Sequence, residues 1–148
     1  MGETRYVLGF LFAPEHEYVV LLQKSRGPGE MAGRLNGIGG HVEDGESPED
    51  AMRREGIEEV GAVHAEWKPF CLMRGDGWVC DCFAAVSQDA LEVPGENDVG
   101  EKVYCLPPSA VLLSPNLMRN VRWLLPMAME ADDLHAIVTY VDSKRGDR

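Results

Sequence analysis

The chain has 148 residues, 45% of them hydrophobic, which suits one domain able to bury roughly two-thirds of its unfolded surface. Its 25 acidic against 14 basic side chains give a formal net charge of −11. With no basic stripe to displace counterions, a nucleic-acid polymer is excluded as main partner, whereas a single nucleotide, its phosphates screened by a cation, is not. No apolar run approaches the ~20 residues needed to span a bilayer, and the N-terminus lacks signal-peptide organisation. Tyr6 stands where a myristoylation motif after Met1-Gly2 requires Ser or Thr. The expected compartment is the cytoplasm, with no membrane partner.

Tyr6–Phe12 and Tyr18–Gln23 are β-rich runs, and Ala13–Glu17 between them reads as a hairpin connection. Lys24–Gly40 is glycine-rich and reads as irregular. A helix is then expected: Ser47 is a good N-cap, Pro48 occupies the first helical position, Glu49 and Asp50 sit at the positive end of the dipole, and Gly61 is placed to end the helix left-handed. Trp67–Met73 and Trp78–Val86 flank Arg74-Gly75-Asp76-Gly77, a second hairpin. Leu91–Gly100 is polar and reads as a loop, Val103–Leu106 as a short strand. Ser114-Pro115 reads as the start of a second helix carrying Leu117, Val121, Leu124, Leu125 and Ala128. Ala136–Val141 is expected as a last strand, and Asp142–Arg148 as a charged, disordered tail. The domain is therefore read as residues 1–141, with 142–148 as tail. Cys71, Cys80, Cys82 and Cys105 have no CxxC spacing and read as buried reduced thiols, Cys80 and Cys82 on one strand face.

The stretch 40–62 carries the chemistry. Glu55, Glu58 and Glu59 stand at i, i+3 and i+4, within roughly 100° of one another on a helix. Like charges so placed repel by a few tenths of a kcal/mol per pair, and a cation relieves the repulsion. Oxygen-only donors suit Mg²⁺, or Mn²⁺, rather than zinc. Gly37, Gly39, Gly40 and Gly45 lie just upstream, where backbone can approach a ligand closely. A glycine-rich loop feeding a carboxylate helix is the geometry expected of a metal–diphosphate site.

The full pattern is Gly40, five residues, Glu46, seven residues, Arg54-Glu55, Glu58-Glu59 and Gly61. It resembles the Nudix box of the Nudix hydrolases, which cleave nucleoside diphosphates linked to another group. Two apolar positions depart from it: Gly56 replaces a bulky residue, at a helical cost of about 1 kcal/mol relative to alanine, and Ala62 is small. The resemblance implies an α/β/α sandwich with a mixed sheet between helices. It also implies cation binding by the Gly40 carbonyl with Glu55, Glu58 and Glu59. Glu55 is the general base it favours, with Glu101 as rival, and Arg54 would pair with Glu46 or a ligating glutamate. Glu43, Asp44 and Glu49 read as surface or helix-start acids, and His41 as non-catalytic.

Residues 33–40 resemble the same loop in Nudix enzymes that sanitise oxidised purine nucleoside triphosphates, which implies substrate contact at Gly39 and base reading by Asn36; a left-handed turn is the other reading of Asn36. Lys24 and Arg26 are phosphate-contact candidates or solvated surface. Asn120 and Trp123 resemble a late-helix segment that closes the base pocket, although a tryptophan at helical spacing also reads as core. The proline marking ADP-ribose hydrolases is missing near Gly77, as is the tyrosine marking dinucleoside polyphosphate hydrolases near Trp78–Cys80. The expectation is a Mg²⁺-dependent pyrophosphohydrolase that converts a nucleoside or deoxynucleoside triphosphate, with a modified or oxidised purine, to monophosphate and pyrophosphate by attack at the β-phosphorus. The alternatives are hydrolysis of a nucleotide sugar or dinucleotide, and a non-catalytic nucleotide-binding module. Monomer and homodimer both remain open.

Overall fold

The computed structural model describes residues 2–24 and 33–141. Its centre is β1 (Thr4–Phe12), buried without a break from Val7 to Phe12, the pattern of a strand covered on both faces. Alternate side chains part to opposite sides. Leu8, Phe10 and Phe12 enter one core with Leu21, Phe70, Leu124 and Leu125, while Val7 and Leu11 enter another with Leu22, Met52, Val60 and Phe83. α1 (Pro48–Val60) covers the second core; α2 (Pro108–Leu112) and α3 (Val121–Ala128) cover the first. The result is the expected α/β/α arrangement around a mixed sheet.

The sheet runs β3 (Leu35–Asn36), β2 (Val19–Gln23), β1, β6 (Trp78–Val86), β5 (Lys68–Gly75) and β8 (Ala136–Thr139). β4 (Ile38–His41) also pairs with β1, and β7 (Lys102–Leu106) with β2. β1 and β6 are parallel from Thr4 opposite Trp78 to Phe12 opposite Val86, whereas β1 and β4 are antiparallel, with Val7 opposite Gly40 and Leu8 opposite Gly39. Both expected hairpins form. The first pairs Phe12 with Val19 across a 3-10 turn at Pro14–His16, and the second closes Gly75 against Trp78, with Gly77 at φ 80°.

Three readings are corrected. Of Lys24–Gly40, read as irregular, residues 25–32 lie outside the described residues, and the rest carries β3 and the start of β4. Glycine is depleted in strands, which hid them, but here the glycines fit a space without room for side chains. A Cβ on Gly37 would stand 2.6 Å from the Gly9 carbonyl oxygen, and one on Gly39 would strike the Val7 carbonyl. The helix expected from Ser114 starts at Val121 and is the third, α3, because the short α2 at Pro108–Leu112, not read from the sequence, precedes it. The apolar signal at Leu117 belongs to a buried bridge beside β3: Leu35 N donates to Asn116 O at 2.8 Å and Met118 N to Leu35 O at 3.0 Å. The stretch 91–100 is not all loop, since a 3-10 turn spans Gln88–Glu92 and Glu96 bridges Lys102. The last strand ends at Thr139, and the tail 142–148 and Arg26 lie outside the described residues. Cys71, Cys80 and Cys82 are buried, Cys105 is half-buried, and all four are unpaired thiols. Among the described residues no helix is long and apolar enough to cross a membrane.

α1 forms as its ends dictate. Ser47 Oγ accepts the Asp50 amide at 3.1 Å, and Gly61 caps the other end at φ 74°, with the Ala62 amide donating back to Gly56 O at 3.0 Å. The departure at Gly56 has a steric cause. Trp67 wedges its indole between α1 and β1, so a Cβ on Gly56 would lie 3.0 Å from Trp67 Cζ2, and one on Gly9 would lie 2.7 Å from Trp67 Cζ3 and 2.6 Å from Met52 Cε. The ring supplies the apolar bulk that the helix position lacks.

Candidate active site

Arg54 organises the carboxylates. Its Nε and Nη2 donate to Glu46 Oε2 and Oε1 at 2.8 and 3.0 Å, and Nη2 also donates to the His41 carbonyl at 3.0 Å. This two-pronged grip is the strong form of a guanidinium–carboxylate contact. The hydrogen bond from Arg54 holds the Glu46 carboxyl below its ordinary range, and the same bond raises the Arg54 guanidinium. Nη1 meanwhile lies 3.4 Å from Glu58 Oε2 and 3.5 Å from Glu55 Oε2. Both partners read from sequence for Arg54, Glu46 and the helix glutamates, are therefore engaged together.

Glu55 and Glu59 face β4. The Gly39 amide donates to Glu59 Oε1 at 2.9 Å, and a Cβ on Gly40 would collide with the Glu55 carboxylate. Only glycine leaves the strand backbone open to that carboxylate. Burial is the largest influence on both acids: it raises Glu55, aided by Glu58 and opposed by Arg54, and it pushes Glu59 up to about 8, with Lys24 opposing and Glu55 and Glu101 adding to the rise. Desolvated and mutually repelling carboxylates beside an open backbone fit a hard divalent cation. Glu58 is more exposed and leans on Arg54. Among the described residues no three carboxylate, imidazole or thiol groups already converge as a ligand set.

Glu101, the rival base, is buried, and both of its oxygens are engaged. Lys24 Nζ lies 3.1 Å from Oε2, and Asn97 Nδ2 donates to Oε1 at 3.0 Å. Lys24 also reaches a cavity of about 420 Å³ on the other side of β4, lined among others by Asn36, Gly39, Gly40, Trp78 and Asn120. Asn36 is not left-handed, so the turn reading fails; its Oδ1 accepts the Gly37 amide at 2.8 Å. Asn120 Oδ1 is buried without a partner. Trp123 does not line this cavity. It packs against the first core, its ring 6.4 Å from that of Tyr140. The structure thus gathers Lys24, Glu55, Glu59 and Glu101 around the glycines of β4 and sets Asn36 and Asn120 in the adjoining cavity. Trp78 and Met118, which also line it, were missed. Trp78 read only as the first residue of an apolar strand run, and Met118 as part of a helix that begins three residues later.

A mixed α/β sandwich with a carboxylate helix pressed on a glycine strand is the arrangement that the resemblance to the Nudix hydrolases implies. Residues 2–129 match the NUDIX domain, and the chain belongs to that family. A MutT protein from Bacillus halodurans superposes with a TM-score of 0.72 at 22% identity, covering 93% of this chain and 90% of that one. A mutT/nudix family protein from Listeria innocua gives 0.70 at 18%, covering 89% and 95%; at such identities these likenesses speak for the fold. An oxidized purine nucleoside triphosphate hydrolase of Mus musculus is 46% identical over 56 residues, which are 38% of this chain and 33% of that protein. The match thus spans about a third of that relative's length.

Proposed function

We propose that the protein hydrolyses nucleoside or deoxynucleoside triphosphates bearing an oxidised or otherwise non-standard purine, releasing the monophosphate and pyrophosphate. The observation that carries this reading is the two-sided β4 strand. Its glycines meet Glu55 and Glu59 on one side and line the 420 Å³ cavity with Asn36 and Asn120 on the other. A diphosphate lying along this strand sits between carboxylates and a base-sized cavity. The purine preference draws support from the partial likeness to the mouse hydrolase. The four unpaired thiols suit a reducing compartment such as the cytoplasm.

Gly40, Glu55, Glu58 and Glu59 would hold Mg²⁺ or Mn²⁺. Such an ion, when bound, neutralises phosphate charge and lowers the pKa of the attacking water. The chain's own residues do the rest. Glu101 is tied on both oxygens by Lys24 and Asn97, which favours Glu55, raised by burial, as the group that takes the proton. Arg54 holds the Glu46 loop against the helix and orients Glu55 and Glu58. Lys24, at the mouth between carboxylates and cavity, meets the phosphate charge.

A panel of nucleotides assayed with Mg²⁺ in ¹⁸O-water tests the reading. Pyrophosphate should be released and should carry the label, because water attacking the β-phosphorus leaves its oxygen there. Label in the monophosphate would overturn β attack, and release of orthophosphate from a triphosphate would overturn the reaction. Turnover confined to a nucleotide sugar or a dinucleotide would replace the substrate class.

A further inference from the structure

The family match ends at residue 129, yet the chain continues into β8, and this extension reaches the wall of the cavity. β8 runs parallel to β5 with Thr139 opposite Arg74. The Tyr140 amide then donates to the Arg74 carbonyl at 2.8 Å, which pins Tyr140 beside the hairpin turn. Its ring stands 5.4 Å from that of Trp78, tilted by 42°, within the range in which aromatic pairs attract. Gly75 completes the seat. A Cβ there would overlap the Trp78 indole, 2.7 Å from Cζ2 and closer still to Nε1, so the ring lies across bare backbone. Gly75 and Tyr140 together hold Trp78 as one wall of the cavity that contains Asn36 and Asn120. Tyr6 and His41 form a second ring pair, 4.7 Å apart, that also lines the cavity.

We propose that Trp78, braced by Tyr140 from the segment beyond the family match, is the platform on which the aromatic base of a nucleotide lies, and so is a specificity-determining residue of this enzyme. The proposal rests on the reading above that a nucleotide enters this cavity. The soft side chains of Met73, Cys80 and Met118 line the same space and present no charge to a flat heterocycle. Stacking on an indole tolerates any base because every base has a π-face. The platform therefore sets affinity for base over sugar, leaving the choice among bases to groups such as the asparagines. Tyr140 is a positioning residue that acts through Trp78.

Binding of product-like ligands separates this proposal from the proposed reaction. Guanosine 5′-monophosphate, cytidine 5′-monophosphate and ribose 5-phosphate would be titrated calorimetrically into the protein. Trp78→Leu should raise Kd for both nucleotides roughly 5- to 150-fold while leaving ribose 5-phosphate unchanged, and Trp78→Phe, which keeps a π-face, should recover most of the loss. Tyr140→Ala should raise the nucleotide Kd roughly 2- to 12-fold and raise KM without lowering kcat. As a readout that needs no change at Trp78, a Trp67→Phe/Trp123→Phe protein retains Trp78 as its single tryptophan, and the nucleotides should quench its fluorescence where ribose 5-phosphate does not. Equal weakening of all three ligands by Trp78→Leu, unchanged nucleotide affinity, or absence of base-dependent quenching would each overturn the platform. Failure to hydrolyse triphosphates with these binding results intact would overturn the reaction and leave the platform standing.

Discussion

The contact between Trp67 and α1 makes a sign-reversing prediction. Gly56 lies inside a helix, where alanine would be favoured by about 1 kcal/mol on propensity alone. In this protein the added Cβ would sit 3.0 Å from Trp67 Cζ2 and 3.4 Å from Nε1. That is overpacking against a ring held on its other side by Gly9 and Met52, and such crowding costs about 1–3 kcal/mol. Gly56→Ala should therefore be neutral to destabilising by about 2 kcal/mol. Trp67→Phe removes the atoms that would collide and also the buried indole N–H, which has no partner and whose desolvation costs about 1–3 kcal/mol; against that gain stands the cavity left by the smaller ring. In the Trp67→Phe background, Gly56→Ala should become stabilising by about 1 kcal/mol. Urea denaturation of the four proteins closes the cycle, with an expected coupling of about 1–3 kcal/mol. Additive effects within about 0.5 kcal/mol would refute the claim that the ring fills the missing side chain's place.

The carboxylates and the cavity give three more. Glu58→Gln should lower turnover by orders of magnitude with the fold intact, since relief of repulsion leaves the cation-free helix no less stable; near-normal kcat at saturating Mg²⁺ would contradict the assigned ligation. With EDTA present, stability should fall as pH rises from about 4.5 to about 8, because a carboxyl raised from 4.5 to about 8 binds its proton more tightly in the folded than in the unfolded chain. Glu59→Gln should reduce that slope and leave the protein more stable than the parent at pH 8, as denaturation at pH 5 and 8 would show. Asn36→Ala should change the purine-to-pyrimidine ratio of kcat/KM by about 1–3 kcal/mol without shifting the Mg²⁺ activation constant; an unchanged ratio would reduce Asn36 to its hydrogen bond with the Gly37 amide.

The legible parts of the site were those whose chemistry is local. Ser47, Pro48 and Gly61 fix α1 through contacts a few residues long, and the i, i+3, i+4 spacing of the glutamates follows from helical geometry, so both could be read in order along the chain. The strands flanking Gly75 and Gly77 were legible for the same reason. β3 and β4 were not, because Gly39 in β4 and Gly37 between the two strands answer to the Val7 and Gly9 carbonyls some 30 residues away in sequence, a constraint no local propensity carries. The helix start misplaced at Ser114 has a similar origin. Leu117 is buried by pairing beside Leu35, and an apolar residue buried by a bridge looks the same in sequence as one buried by a helix. The tryptophans show the limit most plainly. Trp123 and Trp78 both precede apolar runs, and only the turn at Gly75 and the position of Tyr140 decide which of them faces the cavity.

The glycines of β4 have one more implication, for how this site can be probed. Their alignment with α1 is fixed by backbone pairing to β1, with Val7 opposite Gly40 and Leu8 opposite Gly39, and a slip of one residue would turn every position to the other face. The geometry is thus written in atoms that are missing. A truncation scan, which deletes side chains, passes over these positions in silence. Adding a single methyl group at Gly39 or Gly40 intrudes on a carbonyl or a carboxylate, so the sensitive map of this site comes from insertion of bulk.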